Sequence, residues 1–318
     1  MRHRDAKDCC VADLAFFDMP TTTKPNPVSD EAWRREYPFQ SHWLDLGAYR
    51  LHYFAEGSGS PLLMVHGNPT WSFLWRHLAR DLRHDYRPIA MDHVGCGLSD
   101  KPRNLTYSLP VHVANLVRLI DHLDLSNVTL LAHDWGGPIG LRALLARRER
   151  FSRIILFNTG AFPPPYIPWR IRACRTPLLG KIAVQGFNLF ARAAQSMAVH
   201  EAHSITPTAR RGLLSPYNSW QNRQAIFEFV RDIPQSESHP TWKYLVELES
   251  SLPELADLPI KLIWGMRDWC FQPVCLDRLV EHWPQAEVER IEDAGHWVTE
   301  EAQPEVLRSV SEFLQRTA

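Results

Sequence analysis

The chain has 318 residues, enough to bury a sizeable core in one large α/β domain, with or without an insertion. Its 35 Lys and Arg against 36 Asp and Glu leave a formal charge of -1, which implies neither a general nucleic-acid surface nor an anionic-membrane surface. The six cysteines, Cys9, Cys10, Cys96, Cys174, Cys270 and Cys275, have no regular metal-ligand spacing. With no export signal they read as reduced thiols, which favours the cytoplasm.

Residues 1–35 read as a flexible N-terminal extension, polar at first and broken by prolines. Its apolar patch, Val11 to Met19, contains Asp13 and Asp18 and is too short and too charged for a signal-peptide core or a membrane span. From Trp43 the pattern becomes regular: Trp43–Leu46 and Tyr49–Ala55 predict a hairpin around Gly47, and Pro61–Val65 a buried strand. His66-Gly67-Asn68-Pro69 follows as a loop, then a helix over Trp71–Leu82. Tyr86–Met91 predicts a strand, and Tyr107–Leu123 a helix leading to the strand at Val128–Ala132. The glycines of Asp92-His93-Val94-Gly95-Cys96-Gly97 lack the spacing of a phosphate-binding loop.

The strand at Val128 ends at His133-Asp134-Trp135-Gly136-Gly137, and a helix follows over Ile139–Arg147. A strand, a sharp turn and a helix with Asp134 at the apex match the nucleophile elbow of α/β-hydrolases, with aspartate where esterases carry serine. An aspartate is ionised at neutral pH and can displace a leaving group from saturated carbon, forming an ester. Such chemistry needs a base for water and donors for the departing group and the hydrolytic oxyanion. In this fold the loop after the third strand supplies an oxyanion-hole N–H, and Asn68 in that loop adds an amide donor.

Phe151–Phe157 predicts the next strand, but Asn158 to Pro168 holds too many prolines for a helix. Helical stretches such as Lys181–Met197 and Gln221–Arg231 follow without a convincing strand until Ile260–Trp264. A helical cap over residues 163–235 is therefore expected above the C-terminal strand edge, inserted into a core formed by 36–162 and 236–318. Asp268 stands after the strand at Ile260 and is placed to orient a histidine. His296 follows the last strand, Val288–Ile291, late in the order nucleophile, acid, base that the fold requires. A helix over Pro304–Arg316 closes the chain.

His-Gly-Asn-Pro-Thr-Trp at 66–71, His-Asp-Trp-Gly-Gly at 133–137, Trp-Gly-Met-Arg-Asp at 264–268 and Gly-His-Trp at 295–297 together resemble haloalkane dehalogenases over roughly residues 40–315. The resemblance implies an α/β-hydrolase fold: a mostly parallel eight-stranded sheet flanked by helices, with the cap after strand 6. It implies Asp134 as nucleophile, His296 as the base that activates water and Asp268 as the acid orienting His296. The side-chain N–H groups of Asn68 and Trp135 would hold the departing halide, and their backbone N–H groups the oxyanion. The implied partners are a small apolar halogenated substrate, halide and water, with no metal, cofactor or nucleic acid. Self-association through an apolar lid surface or the N-terminal extension is left open.

The expected reaction is haloalkane hydrolysis to alcohol and halide. Many dehalogenases take their third carboxylate after the sixth strand, where this chain has Asn158, so the acid falls to Asp268. The same motifs resemble equally well the bacterial enzymes that decarboxylate β-lactones to alkenes in long-chain hydrocarbon synthesis. An epoxide hydrolase, with Tyr166 and Tyr217 as acids, is a third reading, against which stands Asn68 where those enzymes usually carry an aromatic residue.

Overall fold

A computed structural model describes residues 30–201 and 204–317. Eight strands, β1 (His42–Asp45), β2 (Arg50–Ala55), β3 (Ser60–Val65), β4 (Tyr86–Met91), β5 (Val128–Asp134), β6 (Phe151–Thr159), β7 (Ile260–Gly265) and β8 (Glu287–Ile291), form one sheet. Their order is β1-β2-β4-β3-β5-β6-β7-β8. β1 and β2 run antiparallel to their neighbours, and all pairs from β4 to β8 are parallel.

The apolar runs become central strands because helices cover both faces of a parallel sheet. Every residue of β5 and β7 is buried. Alternate side chains divide between two cores, as the two-residue period of a strand requires. Leu63, Val65, Leu130, Ala132, Ile154 and Leu156 face the helices Leu109–His122, Gly136–Ala146 and Pro273–His282. Leu62, Met64, Leu131, Ile155 and Phe157 face Arg76–Leu82, Gln303–Arg316 and part of the segment beyond β6.

The expectation of a flexible extension over 1–35 is corrected at its end. Asp30–Glu36 is a helix, and Trp33, 2% exposed, packs edge-on against Trp71 and Phe73. An indole that removes this much apolar surface from water anchors the segment. Val11 to Met19 and the Cys9–Cys10 pair lie outside the described residues.

Arg76 fastens this corner. Its guanidinium donates to Glu300 through both Nη atoms, to Glu36 Oε2 at 3.1 Å, and lies 4.0 Å from the Phe73 ring centre. Both members of the Arg76–Glu300 pair are almost fully buried, so removing one leaves a buried charge without its counter-ion. Glu300→Ala is expected to cost about 3 to 5 kcal/mol, read as a lower urea midpoint.

Between β6 and β7 the described chain is helical and contributes no strand to the sheet. The helix expected over Lys181–Met197 is interrupted by a π-helical turn at Ile182–Gly186 and by Asn188 at φ 55°, before Leu189–Met197 resumes. The break is satisfied from elsewhere in the sequence. Arg223 donates to the Gln185 carbonyl and, at 2.8 Å, to that of Gly186, while Asn188 Nδ2 donates to the Tyr217 carbonyl at 3.3 Å. The segment expected as a helix over Trp71–Leu82 divides similarly into a 3-10 turn at Ser72–Trp75 and a helix at Arg76–Leu82.

Candidate active site

The C-terminal ends of β3, β5, β6, β7 and β8 bring Asn68, Asp134, Asn158, Asp268 and His296 to one edge of the sheet. Asp134 ends β5 at φ 54°, the left-handed region that a side chain seldom occupies, and the turn lifts its carboxylate above the sheet. The sequence makes room for it. A Cβ on Gly67 would stand 2.1 Å from Asp134 Oδ1, and one on Gly137 would stand 1.9 Å from Thr159 Oγ1. That hydroxyl donates to the Asp134 carbonyl at 2.5 Å, so glycine is required beneath the elbow.

His296 bridges two carboxylates. Its Nδ1–H donates to Asp268 Oδ2 at 2.8 Å, and its Nε2 stands 3.5 Å from Asp134 Oδ2. The ring stacks on Phe271 at 5.6 Å, and its carbonyl accepts from His133 Nε2–H at 2.8 Å. Asp134, Asp268 and His296 are 6%, 3% and 5% exposed, so these interactions act with little solvent screening. Burial by itself lowers the His296 pKa, but the Asp268 charge and the hydrogen bonds to both carboxylates outweigh it and carry it to about 10. Burial likewise raises the Asp134 carboxyl, yet the hydrogen bond and charge of His296 hold it below its ordinary value. The surroundings of His296 therefore favour its protonated form beside Asp134.

Asp134 Oδ1 accepts from the Asn68 backbone N–H at 2.6 Å. This backbone N–H, named from the sequence, meets the Asp134 oxygen on which an oxyanion would form if an ester there were hydrolysed. One amide N–H of Asn68 is engaged by the Ile226 carbonyl at 3.3 Å. The Trp135 side chain lines both cavities that border Asp134.

Asn158, known from the sequence only as a missing carboxylate, is a positioning residue. Its amide donates to Asp268 Oδ2 at 2.9 Å and to the Gly265 carbonyl at 3.1 Å, and accepts from Gly265 N–H at 2.8 Å. Asp268 Oδ1 accepts from Cys270 N–H at 2.6 Å. The adjacency of β6 and β7 is the signal that would have found this contact, since it places their C-terminal loops side by side.

Two apolar cavities meet at Asp134 and Trp135. The wider, about 530 Å³, is lined by Asn68, Trp169, Leu189, Phe190 and Trp297 among others, and the narrower, about 100 Å³, by Phe162, Pro164, Tyr166, Phe271 and Cys275. Both ends of the helical segment beyond β6, at Phe162–Pro165 and Ile233–Pro234, meet at the narrow cavity. Cys270 borders both, but burial pushes its thiol well up, so it is no competing nucleophile. Tyr166 donates to the Cys270 carbonyl at 2.5 Å and Tyr217 to the Thr70 carbonyl at 2.9 Å. Neither hydroxyl is directed to Asp134, which removes the geometric support for an epoxide-opening pair. Among the described residues no group of three His, Cys, Asp or Glu side chains could hold a metal ion.

A fold and a loop-borne site of this kind define a class, and the chain belongs to the α/β-hydrolase fold family, whose family model matches residues 60–303. Within it the chain is 38% identical over 286 residues to a cis-3-alkyl-4-alkyloxetan-2-one decarboxylase of Shewanella oneidensis, covering 88% of this chain and 90% of that protein. It is 30% identical over 291 residues to haloalkane dehalogenase 2 of Mycobacterium bovis, covering 87% and 95%. The structure of the haloalkane dehalogenase DatA from Agrobacterium tumefaciens C58 superposes with a TM-score of 0.79 at 27% identity, covering 88% of this chain and 97% of that one.

Proposed function

We propose that the protein is a β-lactone decarboxylase that converts a 3,4-dialkyl oxetan-2-one into an alkene and CO2 by covalent catalysis at Asp134. The observation that carries this reading is the pair of apolar cavities that both border the Asp134 carboxylate. A lactone with alkyl chains on adjacent ring carbons needs an apolar arm on each side of the reacting carbon, whereas a small haloalkane needs one. The 38% identity to the Shewanella protein points the same way, and together they reverse the preference for dehalogenation drawn from the motifs alone.

The steps balance without water. An Asp134 oxygen attacks C4 of the lactone, the C4–O1 bond breaks, and O1 leaves as part of a carboxylate still attached to C3. Trp135 Nε1–H and the second amide N–H of Asn68 are the available donors for that carboxylate. The C3–carboxylate bond then breaks, and its electron pair forms the C3=C4 double bond as the C4–Oδ bond breaks. CO2 departs and Asp134 is again a carboxylate. A protonated His296 stabilises Asp134 as it leaves, which suits the resting charge state.

Dehalogenation is the second reading, favoured by the Trp135 indole that lines the cavity with Asp134 and by the likeness to DatA. There Asp134 displaces halide and water cleaves the ester. Esterification removes one carboxylate from His296 and weakens its hold on the proton, so the neutral base required for hydrolysis is generated by the first step.

Product analysis separates the two. Purified protein given a cis-3,4-dialkyl β-lactone is expected to release alkene and CO2 in equal amounts, with halide release from bromo- and iodoalkanes slower. The reverse result would make dehalogenation the function. The pH profiles differ in sign as well. Because the His296 pKa is raised, alkene formation is expected to hold below about 10 and fall as pH rises through it. Ester hydrolysis falls on the acid side instead, as His296 in the ester state is protonated.

A further inference from the structure

The helices beyond β6 carry charge and apolar surface that neither core uses. From residue 160 to 200 the chain contains Arg170, Arg172, Arg175, Lys181 and Arg192 and no Asp or Glu. Arg175 is committed to the Val230 and Ile233 carbonyls, and the other four are exposed. The near-zero charge of the whole chain is thus an average that conceals a stretch rich in exposed cations.

Large apolar side chains stand out between these cations. Trp169 is 73% exposed, Leu178 70%, Leu179 73% and Phe187 66%, with Leu189 and Trp220 about half exposed. Ile182 and Trp220 flank Gly186 together, joining the π-helical turn to the helix beyond. Trp169 and Leu189 also line the wide cavity, so the patch borders the approach to Asp134. Isolated exposed leucines need no explanation, but a group of this size around a cavity marks a contact surface. Indole, phenyl and leucyl groups interleaved with Arg and Lys suit the boundary between anionic headgroups and acyl chains, and no acidic side chain in this stretch opposes such a surface.

We propose that this face docks on an anionic phospholipid surface, from which the wide cavity takes an apolar substrate. Docking holds whichever group leaves the reacting carbon, so its test is independent of turnover.

The test is flotation of the purified protein with phosphatidylcholine vesicles containing or lacking phosphatidylglycerol. The protein is expected to float with the anionic vesicles, to stay behind with phosphatidylcholine alone, and to be released by salt near ~0.5 M. The triple variant Leu178→Ser, Leu179→Ser, Phe187→Ser should lose vesicle binding by at least ~10-fold. None of these three lines either cavity, so its turnover of a short-chain, water-soluble substrate should match the wild type. A second variant, Arg172→Glu with Lys181→Glu, should lose the preference for anionic vesicles without touching the apolar groups. Failure of the wild type to float with phosphatidylglycerol, or flotation of both variants as well as wild type, overturns the proposal. Self-association that the triple variant abolishes, with no vesicle binding, assigns the face to a second copy of the chain and overturns it too.

Discussion

Asp134→Asn is expected to abolish alkene formation and halide release alike, by at least ~10⁴-fold, with the fold intact. The amide is isosteric with the carboxylate, and its oxygen can still accept from the Asn68 N–H that meets Asp134 Oδ1 at 2.6 Å. The positive φ at this position is one that asparagine tolerates as well as aspartate does. What the variant lacks is the negative charge that attacks carbon, so a binding or stability defect does not explain the loss. Turnover above about 1% of wild type, with a normal thermal midpoint, would rule out covalent catalysis at this residue.

His296→Phe is expected to separate the two chemistries. Phenylalanine keeps the stacking partner of Phe271, and Asp268 retains the N–H donors of Asn158 and Cys270. With a reactive bromoalkane the variant should release at most one halide per molecule and hold the alkyl group on Asp134. Intact mass then increases by that of the substrate alkyl group less one hydrogen, and steady turnover falls by ~10³-fold or more. With a β-lactone no water is needed, so alkene formation should continue at a rate reduced by loss of the imidazolium. Steady hydrolysis of the bromoalkane by this variant would remove His296 from the role of base, and complete loss of alkene would show that the lactone route depends on it.

The legibility of the sequence followed the range of the interactions involved. β5 was visible because seven consecutive residues, Val128 to Asp134, are buried on both faces and carry an apolar run, and the elbow because two glycines, Gly136 and Gly137, follow Trp135 where a Cβ would not fit. The placing of Asp268 and His296 was legible through chain order, since each follows a strand that a buried apolar run announces. The break at Asn188 was not. The stretch on either side carries Ala183, Ala191, Ala193 and Ala194 and suits a helix, whereas the carbonyls freed at Gln185 and Gly186 are met by the guanidinium of Arg223 from far along the chain. Asn158 was hidden for the same reason: its partner Asp268 lies 110 residues away and is brought near only by the pairing of β6 with β7. Trp33 was read as part of a loose extension because polarity is averaged over neighbours, while the aromatic cluster that receives it is assembled by the fold.

The helical segment beyond β6 leaves and returns at one place, with Phe162–Pro165 and Ile233–Pro234 side by side over Asp134. A segment anchored in this way is a unit of exchange in evolution, because closely spaced ends allow replacement without rebuilding the scaffold. Asp134, Asp268, His296 and the Asn68 loop all lie outside it. A lineage could therefore lengthen, shorten or recharge these helices while leaving those four side chains in place.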